Sequence, residues 1–114
     1  MVTYTRDLCI TPGGSPVIIR LSKNDNNFRI VLNLYNVIGD FQIQNGSTVT
    51  LEGHHVKDGS TFSIPGTISG KNVTINGNAQ ITSVNGDAVA EVIISYDGKR
   101  LSSANFILAI EPEA

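Results

Sequence analysis

Asp97-Gly98, set between apolar runs at Val89–Tyr96 and Ala104–Ile110, constrains this chain more than any other pair of residues. Asp-Gly tolerates the positive φ values that a tight reversal between twisted strands requires, so the segment predicts a β-hairpin. The same punctuation recurs throughout. Eleven glycines and many Asn, Ser and Thr interrupt the chain at short intervals, and no long segment carries a helical period. That pattern predicts an all-β domain with many turns.

The remaining strands follow from alternation. Phe28–Tyr35 places Phe28, Ile30, Leu32 and Leu34 on one face, with Arg29, Asn33 and Tyr35 on the other. Val17–Leu21 and Ser47–His55 alternate in the same way, the second with Val49 and Leu51 inward, and Val37–Ile43 is a shorter extended piece. Phe62–Ile64 runs into Pro65, whose missing amide hydrogen predicts an edge strand or a strand end. Thr67–Gly70 and Val73–Ile75 are brief strands around a turn, and Lys23–Asn27 and Asn76–Asn78 are polar turns. Only residues 79–84, AQITSV, fit a short helical turn, with Ile81 and Val84 facing the core and Asn85-Gly86 as its left-handed cap.

About seven or eight sequential antiparallel strands favour a two-sheet β-sandwich, although periodicity alone is also compatible with a barrel. At 114 residues this is one domain, large enough to bury a core without metal or disulfide staples. Residues 1–16 read as an N-terminal strand or extended arm closed by the Pro12-Gly13-Gly14-Ser15-Pro16 connection, and residues 17–114 as the sandwich.

Charge and composition exclude several functions. The formal charge is −2 with signs interspersed, so no basic field attracts nucleic acid. No segment approaches the roughly 20 apolar residues that span a bilayer, and the N-terminus lacks a signal-peptide core. The single cysteine, Cys9, has no partner for an internal disulfide and reads as a small buried hydrophobe between Leu8 and Ile10. The chain is therefore expected to be a soluble product of a cytoplasm.

No catalytic constellation is present. His54-His55 is the only histidine cluster, but adjacent strand residues face opposite sides. A bend at Gly53, with Glu52 or Asp58 as an oxygen donor, would be needed for a metal site, and the spacing matches no zinc pattern. Gly13-Gly14 leads into a strand rather than a helix, which disqualifies it as a phosphate loop. Asn45-Gly46-Ser47 and Asn72-Val73-Thr74 have the form of glycosylation acceptors but read as turn asparagines. Among the aromatics Tyr4, Tyr35 and Tyr96, Tyr35 is the best placed for stacking on a sugar. No catalytic, cofactor-binding or metal residue is assigned, and no enzyme activity or cofactor is expected.

A set of phrases carries a resemblance. Lys57-Asp58-Gly59 with Phe62, Val73 and Ile75, Gln80-Ile81-Thr82 with Val84 and Gly86, and Glu91 form its first part. Gly98-Lys99 with Leu101, then Ala104-Asn105-Phe106-Ile107 with Glu111, form its second. Together they resemble the N-terminal domain of phage baseplate upper proteins, which are tail and appendage proteins of phages and prophages of Gram-positive bacteria. The match runs from about Val17 to the C-terminus, is densest after Lys57, and is most specific at SSANFILAIE, residues 102–111.

The resemblance implies an immunoglobulin-like sandwich that fastens a host-recognition appendage to the baseplate. It also implies a location in the virion tail after synthesis in a bacterial cytoplasm, other baseplate and tail proteins as partners, and trimerisation through later segments of a longer polypeptide. Neither nucleic acid nor membrane is an expected partner. An adhesion or carbohydrate-binding sandwich that contacts the host surface directly is the alternative.

Overall fold

The computed structural model describes residues 1–11, 16–36 and 41–112. The Pro-Gly connection at 12–15, most of the extended piece expected at Val37–Ile43, and the last two residues lie outside them. The described chain is an all-β sandwich. Its strands are β1 (Val2–Cys9), β2 (Ile18–Ser22), β3 (Phe28–Tyr35), β4 (Thr48–His55), β5 (Thr61–Pro65), β6 (Thr67–Ser69), β7 (Asn72–Asn76), β8 (Gly86–Tyr96), β9 (Lys99–Ser102) and β10 (Phe106–Glu111). One sheet has the order β1-β3-β7-β6, and the other β2-β10-β8-β4-β5 with β9 also on β8.

The core is the set of inward positions that alternation predicts. Phe28, Ile30, Leu32 and Leu34 of β3 face Val49 and Leu51 of β4 and Phe106, Leu108 and Ile110 of β10 in one apolar cluster. Each is nearly devoid of solvent contact, which supplies the main driving force for closing the two sheets on each other.

The expectation of purely antiparallel pairing is corrected at both N-terminal strands. β1 lies parallel to β3, and β2 parallel to β10; the other described pairings are antiparallel. The connection from β1 to β3 passes through the opposite sheet as β2, and that long crossover allows neighbouring strands to run the same way. From β1 to β4 the chain thus alternates between the two sheets.

Two corners show how sequence fixes the path. Val49 O accepts from Gly66 N and Ser60 O from His55 N, so Thr61, Ser63 and Pro65 point their backbone groups away from β4. Pro65 therefore has no missing bond in the ladder, and β5 is an edge strand. The chain then crosses at Gly66 into β6 of the other sheet, where a Cβ would stand 2.5 Å from Ile75 Cδ1 and 2.9 Å from Thr74 O. Only glycine fits that approach.

The Asp97-Gly98 turn forms as expected, with φ of 49° and 74°, the paired left-handed geometry of a tight hairpin. Its returning strand differs from the expectation. β9 pairs with the end of β8, and β10 pairs with the start of β8 on the same side. Between them Ser103 replaces a ladder residue: its N–H donates to Val92 O, and its Oγ accepts from Val92 N at 2.9 Å.

The helical turn is α1 (Ala79–Thr82), capped by Asn78, whose side chain accepts from Gln80 N at 2.8 Å. It closes at Ser83 in a right-handed conformation. Gly86, at φ 103°, begins β8 instead of capping the helix as the sequence predicts.

Candidate functional site

The strand pleat sends Glu52 and His54 of β4 outward and buries Leu51 and His55. On β8 it sends Val89 and Glu91 outward and buries Ala88, Ala90 and Val92. Register then sets Glu52 directly opposite Glu91 on one side and opposite Ser63 on the other, with His54 between Val89 and Thr61. These side chains, with Asn105, border an open depression of about 760 Å³ that reaches Gly53, Phe62, Ala90 and Gln80.

Two carboxylates side by side on one sheet face repel each other. Glu91 has a partial counterweight in Arg100, whose Nη2 lies 3.9 Å from Oε1 with the arginine largely in solvent, a geometry worth little. No described cation pairs with Glu52. Both acids also present the same side to a ligand, whereas glycoside cleavage needs acids flanking the scissile bond. The depression can therefore bind polar or cationic groups, and its described residues hold no nucleophile with an oriented base.

His54 and His55 separate as the pleat requires. His54 is exposed. His55 is 2 % exposed, packs on the Phe62 ring with centroids 5.3 Å apart, and bonds Gln80 O through Nε2 at 3.0 Å. His54 thus belongs to the solvated side of the strand, whereas His55 belongs to the interior. Gly53 does not turn them toward one point. Its missing Cβ instead makes room for Phe62 Cζ and Val89 O, each of which would lie 2.6 Å from it. Among the described residues no three His, Cys, Asp or Glu side chains converge as a metal set.

Asp58 lies in the turn after β4, where its Oδ1 accepts from Ser60 Oγ at 2.6 Å and from Ser60 N at 2.9 Å. Those two donors hold its carboxyl below the usual carboxylate value, the hydroxyl contributing most. The group is fully exposed and shapes the turn.

The other candidate residues disperse. Cys9 is buried at the end of β1, with Sγ 3.5 Å from Thr11 Oγ1. Tyr35 is half-buried, and Tyr4 packs edge-on against Phe28. Asn45 and Asn72 are exposed, Asn72 as the first residue of β7. Sequence reasoning missed the Glu52–Glu91 pairing because the two acids are far apart in the chain and meet only through strand register. No helix among the described residues is long and apolar enough to cross a membrane.

No family model and no curated protein matches the chain. Among solved structures, the N-terminal domain of phage TP901-1 ORF48 superimposes with a TM-score of 0.74 at 15% identity, over 97% of this chain and 99% of that one. At that identity the similarity establishes a shared fold, which extends over nearly the whole of both chains.

Proposed function

We propose that this domain is a non-enzymatic structural module of a phage tail, one that anchors a host-recognition appendage to the baseplate. The observation that carries the reading is the end-to-end match in fold with the N-terminal domain of a phage protein. The phrases Gln80-Ile81-Thr82 and Ala104-Asn105-Phe106-Ile107, which resemble baseplate upper proteins, point the same way independently of the fold. The sandwich is read as immunoglobulin-like, its partners as other baseplate and tail proteins, and its location as the virion tail of a phage or prophage of a Gram-positive host. In the full-length assembly the chain is read as part of a homotrimer.

A rigid core with open strand edges suits such a role, because assembly needs a surface that pairs and no reactive group. The test is co-elution of the purified chain with the tail and baseplate proteins encoded beside its gene. A stable complex with one of them is expected. Binding to none, together with saturable binding to a saccharide by calorimetry, would replace the anchor with the second reading, adhesion through a glycan. That second reading rests on the polar depression bordered by Glu52, His54, Ser63, Glu91 and Asn105.

A further inference from the structure

The two broad faces of the sandwich are chemically unlike. On the outer face of the β1-β3-β7-β6 sheet, register aligns Thr5, Val31, Thr74 and Thr67 in one row. The next row is Asp7, Asn33, Asn72 and Ser69, with Asn33 Nδ2 donating to Asp7 Oδ1 at 3.2 Å. Water solvates such a surface well, and covering it would release little free energy.

The outer face of the other sheet carries one aliphatic row among its polar ones. Ile18, Ile107 and Val89 stand in register across β2, β10 and β8, with Ile18 50% exposed. Beyond the end of β4, Val56 is 60% exposed beside Asp87, whose carbonyl accepts its N–H. The row running from Glu91 through Glu52 borders this stripe directly. Contiguous apolar surface rimmed by charge marks an interaction site more often than an isolated exposed aliphatic does.

We infer that this outer face of the six-stranded sheet is the surface that docks a partner protein. The docking segment lays an aliphatic side chain on the Ile18–Ile107–Val89 row and sets a Lys or Arg against Glu52 and Glu91. The inference rests on the anchoring function and specifies which face performs it. Charge complementarity selects the occupant. Two adjacent carboxylates, one with no described counterion and the other with a long contact to Arg100, accept a guanidinium or ammonium group that relieves their mutual repulsion. A second copy of this chain fits poorly, because a symmetric pairing across this face sets the acidic row against its own kind.

The test uses the isotope-labelled chain and two blocked tripeptides, Leu-Arg-Leu and Leu-Glu-Leu, followed by amide chemical shifts. Leu-Arg-Leu is expected to produce saturable shifts at Glu52, Val89, Glu91 and Ile107, weakened about threefold or more in a Glu52→Gln, Glu91→Gln variant, as for a partly solvated charge pair. Leu-Glu-Leu is expected to produce none. Equal binding of the two peptides, shifts on the Thr5–Thr74 face, no shifts at all, or concentration-dependent self-association through the same residues would each overturn the inference. Ile107→Lys, with its fold confirmed by its amide spectrum, separates this idea from the anchoring function. Undiminished co-elution of that variant with a tail protein would sink the face assignment and leave the anchor standing. Peptide binding at this face by a chain that binds no tail protein would do the reverse.

Discussion

His54 and His55 are neighbours in sequence with opposite physical roles, and substitution should separate them. His54 sits in solvent on the outer face, so His54→Ala is expected to change stability by less than about 0.5 kcal/mol. His55 is enclosed by Phe62 and α1, and removal of its ring leaves a cavity and an unpaired Gln80 carbonyl. His55→Ala is expected to cost about 2–4 kcal/mol in urea denaturation. Nδ1 of His55 is buried with no hydrogen-bond partner among the described residues, so part of that ring's contribution is already offset by desolvation. Strand alternation made the divergence legible in the sequence, but which histidine would be buried followed from the inward set Val49 and Leu51.

Asp58 gives a pH-dependent signature at the same scale. Donors from Ser60 favour its ionised form in the folded chain. Its contribution to the turn is present above the unfolded-state pKa and is lost as pH falls through the lower folded-state value. Carboxyl NMR titration should place the Asp58 midpoint below that of an unstructured aspartate, and Ser60→Ala should move it upward. Gly77 is the corresponding steric case. Its N–H donates to Phe28 O at 2.6 Å, and an added Cβ would strike the backbone carbonyls of Asn26 and Phe28. Backbone cannot step aside as a side-chain tip can, so Gly77→Ala is expected to cost about 1–3 kcal/mol by denaturant titration.

Among the elements, the junction between β9 and β10 is the most informative. The sequence marks the turn at Asp97-Gly98 by its chemistry, and the alternation of Phe106, Leu108 and Ile110 marks the last strand. Neither pattern says that the returning strand breaks. The break is held by Ser103, which is buried, receives Val92 N–H on its Oγ and donates that hydroxyl to Ala104 O. Ala104 N in turn donates to Cys9 O, tying the junction to the end of β1. Ser103→Ala would strand a buried amide, at an expected cost of about 1–3 kcal/mol. Accelerated hydrogen exchange at Val92, exceeding that at Ala90, would locate the loss; unchanged Val92 protection would count against this account. The α1 turn shows the complementary limit: Ile81 was readable as a core contact, while Asn78 read only as a turn residue and its capping of Gln80 N came from the structure.

At the scale of the whole molecule, one apolar cluster runs through both sheets and takes in Leu8 and Ile10 from the N-terminal segment as well as Ile81 from α1. Urea unfolding followed by tyrosine fluorescence and by circular dichroism should therefore give coincident transitions, as a single cooperative core requires. A separate early transition would mean that β1, at the end of its sheet beside β3, detaches on its own. Similarity to the phage domain also operates at this scale, since 15% identity preserves little beyond the arrangement of strands and their core. The sequence by itself determined much of the local structure: the turn at Asp97-Gly98, the inward sets of β2, β3, β4 and β10, and an edge or strand end at Pro65. Those features depend on φ preferences and a two-residue period, both confined to a few neighbouring residues. The tertiary structure alone decided that β1 and β2 pair in parallel on opposite sheets, that Glu52 meets Glu91, and that an aliphatic row lies on one outer face and polar rows on the other. Such pairings join residues distant in the chain, and their choice comes from closing two sheets over a shared core, a constraint that no short stretch contains.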